Sequence, residues 1–236
     1  MTTPTGDTTA SPQVRRAGRL VRGAVAMVLF ALPVLLLGYA ARQKLDPLIR
    51  FDDAVIGWST DVTRSAGAAD ALIALQTVSQ PFLLYVIGTG VALWAWLARK
   101  LRNRALWAFV TMMVAWPVGL LAKHLVQRAR PVVDEPLSHS PGYSFPSGHA
   151  FNVAVVATVV VFLLWPVLTP PARRLATVVA VVVALVVGTD RMFLGVHFPS
   201  DVAAGWILGA GITFSSWLGF IGRTSPTSLS GPSHPV

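Results

Sequence analysis

Long apolar runs, each closed by charge, proline or glycine, alternate along this chain with short polar segments. A helix rising about 1.5 Å per residue needs roughly 20 residues to cross a hydrocarbon core about 30 Å thick. Six runs approach that length: Val21 to Ala41, Pro81 to Ala98, Ala105 to Ala122, His149 to Trp165, Leu175 to Gly188 and Asp201 to Ile221. The pattern predicts an all-α polytopic membrane protein with six transmembrane helices. Between Arg42 and Gln80 the texture changes. Leu48, Phe51, Val55 and Trp58 recur at helical spacing, as do Ala68, Leu72 and Leu75, which predicts two short amphipathic helices outside the hydrocarbon after the first span.

Residues 1–14 and 223–236 carry Ser, Thr and Pro with no apolar period and read as disordered tails around one six-span domain over residues 15–222. The first run, basic and then apolar with small residues from Gly38 to Ala41, also has the form of a cleavable signal, but its length favours a retained span. Gly205 and Gly209 form a small-xxx-small pair that lets helices approach closely.

Composition agrees with the pattern. Of 236 residues, 54% are hydrophobic and 12% charged, about half the charged share of an ordinary soluble domain. There is no cysteine, so no disulfide framework and no thiolate metal site. The net charge of +9 does not form a single basic stripe, which argues against a nucleic-acid partner. It flanks the spans instead. With both termini cytoplasmic, inside segments hold eleven Lys and Arg against one acid, and outside segments hold eight against nine. That balance follows the positive-inside rule.

Three polar clusters on the expected outer side exceed what topology needs. Lys123 and Arg130-Pro131 close the third span; seven residues apart on a helix, the two cations face one way. Ser144-Phe-Pro-Ser-Gly-His149 opens the fourth span, where proline and a hydroxyl cap suit a helix N-terminus and free N–H groups attract anions. Asp190, Arg191, His197 and Asp201 lie between the fifth and sixth spans. Pro199 keeps Phe198 out of helical geometry, so His197 belongs in a loop and Asp201 in the first turn beyond. Lipid-headgroup snorkelling and ordinary capping explain single members of this set. Parity explains more: the end of span three, the start of span four and the five–six connection all lie on one side of the bilayer.

These motifs resemble those of the type 2 phosphatidic acid phosphatase superfamily, marked by K-x6-R-P, P-S-G-H and S-R-x5-H-x3-D. Here they stand as Lys123 to Arg130-Pro131, Pro146-Ser147-Gly148-His149, and Arg191, His197 and Asp201, with Asp190 in place of the serine before Arg191. The resemblance implies a membrane lipid phosphatase. His197 would be the nucleophile forming a phosphohistidine, Asp201 would orient it, and His149 would protonate the leaving oxygen. Lys123, Arg130, Ser147, Gly148 and Arg191 would hold the phosphoryl oxygens, with Asp190 pairing to Arg191. No cofactor is expected. Phosphoryl transfer rests on positioning and charge stabilisation, which three cations can supply without a metal ion. Asp134, Glu135 and His139 show no metal-ligand spacing. The expected substrate is a membrane lipid (a polyprenyl diphosphate, phosphatidic acid or phosphatidylglycerol phosphate), with Phe145, Met192, Phe193 and Phe198 as candidate lining of its access path. Vanadate is the expected inhibitor, and a bacterial plasma membrane the expected location. The alternatives are a phosphotransferase of the same superfamily, a transporter, which should carry ionisable groups mid-span, or a vanadate-dependent haloperoxidase, typically soluble.

Overall fold

The apolar runs fold into helices, described in a computed structural model over residues 12–133 and 137–221. In chain order they are α1 (Pro12–Arg42), α2 (Asp46–Ser65), α3 (Ala69–Val78), α4 (Pro81–Leu97), α5 (Arg102–Val126), α6 (Gly148–Leu164), α7 (Pro170–Phe193) and α8 (Pro199–Phe220). No strand occurs among the described residues. Proline opens α4, α7 and α8, where its missing N–H costs nothing and its fixed φ suits the first turn.

Five helices, α1 and α5 to α8, are long and apolar enough to cross a membrane; α3 and α4 qualify only as a pair, bent by 46°. The chain is therefore a multi-pass membrane protein with five or six candidate spans. The expected second span corresponds to α4, whose 17 residues reach only about 26 Å. Several helices outrun their sequence limits. α7 runs from Pro170 to Phe193 rather than Leu175 to Gly188. α1 begins at Pro12, inside the stretch read as a tail, while residues 1–11 and the expected C-terminal tail lie outside the described residues.

The bundle is built around α6, which is buried on most sides and touches α4, α5, α7 and α8. α1 lies along α8, and the outer faces of α1, α4, α5 and α7 present leucine, valine and aromatic side chains, as lipid-facing surfaces do. Gly205 and Gly209 of α8 are where α6 comes closest. A Cβ on Gly205 would lie 2.8 Å from the Ser147 carbonyl oxygen, and one on Gly209 would collide with the carbonyl of Phe151. Gly205→Val should therefore drive α8 from α6 at the polar end of the bundle. Overpacking of this kind costs about 1–3 kcal/mol, so the thermal unfolding midpoint in detergent, followed by tryptophan fluorescence, should fall. An unchanged midpoint would show that the helices have room to spare.

α2 is amphipathic as expected, but its burial is inverted. Phe51 and Trp58 are exposed, whereas Asp52, Ser59, Thr60 and Thr63 are buried together with Ile56. Its apolar stripe faces outward and its polar stripe faces the protein. Trp58 meets Phe193 edge-on, with ring centroids 5.7 Å apart, and Thr63 donates to the Phe193 carbonyl at 2.8 Å. α2 thus docks on the end of α7, beside the five–six connection.

Candidate active site

The three polar clusters meet at one end of the bundle, as parity requires. Ser144 reaches Asp201, Arg130 reaches His197, and Lys123 reaches the segment before α6. The route of the first cluster differs from the helical reading. α5 ends at Val126 because Gln127 adopts a left-handed conformation, with φ 54°, four residues before the proline stop. Lys123 is in the last turn of the helix and Arg130 is in the loop beyond. Both side chains still arrive at one point: Lys123 Nζ donates to the Tyr143 carbonyl at 2.9 Å, and Arg130 Nη2 to the same oxygen at 3.4 Å.

His197 is buried in the loop between α7 and α8. Its Nε2 lies 3.1 Å from Arg130 Nη1. A guanidinium only donates, so Nε2 accepts and the ring proton sits on Nδ1. Nδ1 faces Ser144 Oγ at 3.3 Å and Asp201 Oδ2 at 3.7 Å. Burial pushes the imidazole pKa down to about 4; Asp201 opposes the shift, and Arg130 and Lys123 add to it. Near neutral pH the ring is therefore uncharged, with its Nε2 lone pair toward the cations. Burial likewise lowers the Arg130 guanidinium from its ordinary value, with Asp201 opposing.

Asp201 occupies the first turn of α8, and its Oδ2 accepts the Phe198 N–H at 3.0 Å and the Ser144 hydroxyl. Its Oδ1 accepts Arg128 Nη1 at 2.8 Å. Arg128, which the motif reading passed over, is buried between two carboxylates. Its Nη2 donates to Asp52 of α2 at 2.7 Å, its Nη1 also bonds the Ser200 hydroxyl at 2.7 Å, and its guanidinium lies 4.0 Å from the Phe198 ring centroid. Asp52 in turn accepts the Ser200 N–H at 3.1 Å. The left-handed residue at Gln127 brings this about, since it ends the helix and turns Arg128 inward. No sequence spacing announced it. The only signal was an acid, Asp52, on the polar stripe of α2 with Ser59, Thr60 and Thr63.

The second cluster opens α6 with Ser147 at the N-cap. Its N–H donates to the Asp201 carbonyl at 2.9 Å, tying the starts of α6 and α8 together. The expected hydroxyl cap is not made: Ser147 Oγ is buried without a partner, and so is His149 Nε2. A Cβ on Gly148 would meet only Lys123 Cε, at 3.8 Å, which leaves the backbone N–H open beside that cation. His149 stands among Arg191, His197 and Lys123. Arg191 is fully buried, paired with Asp190 and bonded to Gln76 Oε1 of α3 at 2.7 Å; Arg191 Nε and Asp190 Oδ1 have no partner. Several buried polar groups without partners at one place mark a site built for a polar ligand.

A cavity of about 530 Å³ adjoins this cluster on the Arg130 side, bounded by Asp53, Thr60, Arg130, Val133 and Phe198, and two more lie on the Lys123 and His149 side. One of about 150 Å³ runs between α4, α5 and α6 from Lys123 and Gly148 to Pro81, Trp116 and Leu120. The other, of about 390 Å³, is bounded by Gln76, Gln80, Phe82, Trp116, His139 and His149. Phe82, Trp116 and Leu120, which border these two, are exposed on the outer faces of their helices. The aromatic residues expected on this path lie elsewhere. Phe145 is in the core against Val126 and Gly38, Phe193 is under Trp58, Phe198 is on Arg128 and borders the Arg130-side cavity instead, and Met192 borders none of the three. Among the described residues no three His, Asp or Glu side chains form a metal-binding group; Asp134 and Glu135 lie outside the described residues.

The sequence model of the PAP2 superfamily matches residues 104–224. Phosphatidylglycerophosphatase B of Bacillus subtilis is 33% identical over 134 residues, 54% of this chain and 61% of that one. An undecaprenyl-diphosphatase of Sulfolobus acidocaldarius is 32% identical over 50% of this chain and 56% of its own length. The match thus spans less than two thirds of the length of these curated relatives. The crystal structure of a transmembrane PAP2-type phosphatidylglycerolphosphate phosphatase from Bacillus subtilis superposes with a TM-score of 0.72 at 25% identity, covering 80% of this chain and 93% of that one.

Proposed function

Because the chain belongs to the PAP2 superfamily, we propose that it is an integral membrane lipid phosphatase acting through a phosphohistidine. One observation carries the lipid reading: the cavity that Lys123 and Gly148 line runs between α4 and α5 to residues exposed on the outer faces of those helices, where a bilayer would place hydrocarbon. A phosphate at headgroup depth would reach Lys123 while its tail stayed in the bilayer. The names of the relatives, a phosphatidylglycerophosphatase and an undecaprenyl-diphosphatase, support the same substrate class: phosphatidylglycerol phosphate, a polyprenyl diphosphate or phosphatidic acid.

The chemistry follows from the tautomer. The Nε2 lone pair of His197 attacks phosphorus, the bond to the leaving oxygen breaks, and that oxygen takes a proton from His149. Lys123, Arg130, Arg191, the Ser147 hydroxyl and the Gly148 N–H hold the phosphoryl oxygens, each charge-assisted contact contributing about 1.5–3 kcal/mol. Water then attacks phosphorus and gives its proton to His149, and the electron pair of the P–N bond returns to Nε2. Arg130 must turn from Nε2 to the phosphate before attack, since it covers the lone pair in the unliganded site. Three cations supply the charge stabilisation, so no metal ion is required. One domain over residues 15–222 carries the activity, with both termini cytoplasmic and the site at the outer face of a bacterial plasma membrane.

Purified protein given phosphatidylglycerol phosphate, undecaprenyl diphosphate and phosphatidic acid in EDTA should release phosphate from at least one of them, without an added acceptor. Orthovanadate, which mimics the five-coordinate phosphoryl centre, should inhibit competitively. Folded protein inactive on all three lipids would overturn the substrate class, and activity lost on chelation would overturn the metal-free mechanism.

A further inference from the structure

Asp201 meets the histidine it is expected to orient only at ion-pair distance. Its Oδ2 stands 3.7 Å from His197 Nδ1, beyond hydrogen-bond reach. Ser144 fills the gap. It is fully buried, its N–H is fixed on the Arg128 carbonyl at 2.9 Å, and its hydroxyl lies 3.3 Å from Nδ1 while contacting Asp201 Oδ2. The proton positions follow by elimination. Arg130 donates to Nε2, so Nδ1 carries the ring hydrogen and must be the donor toward Ser144. A carboxylate only accepts, so the Ser144 hydrogen points to Asp201.

We propose that Ser144 is a positioning residue that links Asp201 to His197, so that the carboxylate stabilises the phosphorylated imidazole through this hydroxyl as well as across the longer ion-pair contact. This rests on His197 being the nucleophile. When Nε2 bonds to phosphorus the ring becomes cationic, and no proton need leave Nδ1. The N–H to Oγ bond and the O–H to carboxylate bond both strengthen as charge develops. Arg128, held between Asp52 and Asp201, keeps the carboxylate from closing the gap. The remaining charged or titratable groups beside His197 are Lys123, Arg130 and His149, with Arg191 next to His149.

The test is steady-state and rapid-quench kinetics on the full chain in detergent, comparing wild type with Ser144→Ala, Ser144→Cys and Ser144→Thr on whichever lipid the wild type turns over. Losing one hydrogen bond to a charged group corresponds to about 10- to 100-fold in rate. That loss is expected in kcat for Ser144→Ala, with KM within about threefold and slower phosphoenzyme formation. The acid limb of kcat/KM should move to lower pH, because a ring that has lost its hydrogen-bonded link to Asp201 is harder to protonate. Ser144→Thr should recover a large part of the rate. Ser144→Cys, close to serine in volume but a poor hydrogen-bonding group, should resemble alanine, and it covers the case in which the alanine variant does not fold. Wild-type kcat and an unmoved pH profile in either variant would overturn the link while leaving the phosphatase reading intact. A wild-type protein inactive on every lipid would remove that reading itself.

Discussion

His197→Ala should release phosphate at least about 10³-fold more slowly than wild type, as loss of a covalent nucleophile does in other hydrolases. The ring is buried, its proton is fixed on Nδ1 by Arg130, and its lone pair points into the cation cluster. No second imidazole can replace it. His149, in the first turn of α6, is the proposed proton donor to the leaving group. His149→Ala should cost less, about 10²–10⁴-fold, the usual worth of a general acid. The two variants also separate by step. Quenching with labelled lipid should trap acid-labile, base-stable label on the wild type and on His149→Ala, but none on His197→Ala. Activity above a few per cent in His197→Ala would refute the covalent route. The pH profile adds a check. Burial lowers the His197 pKa from the usual 6.5 to about 4. The neutral, nucleophilic form therefore persists well below pH 6, and its loss should appear in kcat/KM only as pH falls through about 4. A limb near 6.5 would mean that water reaches the ring.

Arg128→Met should be the most destabilising single change in the site. It leaves Asp52 and Asp201, both fully buried, without the cation between them. Breaking a buried ion pair from one side costs about 3–5 kcal/mol, most of it the penalty of the stranded charge. Adding Asp52→Asn removes one stranded carboxylate and should recover much of the loss, so the double variant is expected to be more stable than Arg128→Met alone. Thermal unfolding of the four proteins in a double-mutant cycle measures this directly. Additive effects would mean that Asp52 and Arg128 act independently, contrary to their 2.7 Å contact. Turnover should remain low in the double variant, because Asp201 has lost the guanidinium that sets its position. Stability and activity thus separate at this residue.

The parts of the site legible in the sequence were those set by local rules. Pro199 put His197 in a loop and Asp201 in the following turn, Pro146 and Ser147 announced the start of α6, and parity brought the clusters together. The bundle itself was legible in the apolar runs. What escaped depends on contacts between distant segments. Lys123 and Arg130 do converge, but not along one helix, because Gln127 ends α5 early and nothing in its side chain requires a left-handed conformation. That turn aims Arg128 at Asp52, a contact spanning 76 residues that no spacing encodes. Asp190 was expected to hold Arg191, and the two are paired. Gln76, which takes the other side of that guanidinium, comes from α3, a helix read only as amphipathic. The misplaced phenylalanines share one cause. An aromatic residue beside a polar motif gives no sign whether it faces lipid, core or a cation.

The inverted burial of α2 has a consequence for the membrane around it. Phe51 and Trp58 present their rings outward from α2, and next to Phe51 on the same helix Asp52 grips Arg128. Aromatic residues favour the boundary between hydrocarbon and headgroups, so the helix settles at the level the bilayer dictates rather than at a level the spans alone choose. A thicker or thinner membrane shifts that level at a modest cost per ångström of mismatch. Through Asp52 and Arg128 the shift reaches Asp201. Turnover by the proposed site is therefore expected to vary with hydrocarbon thickness, which assays in vesicles of shorter- and longer-chain lipids would measure.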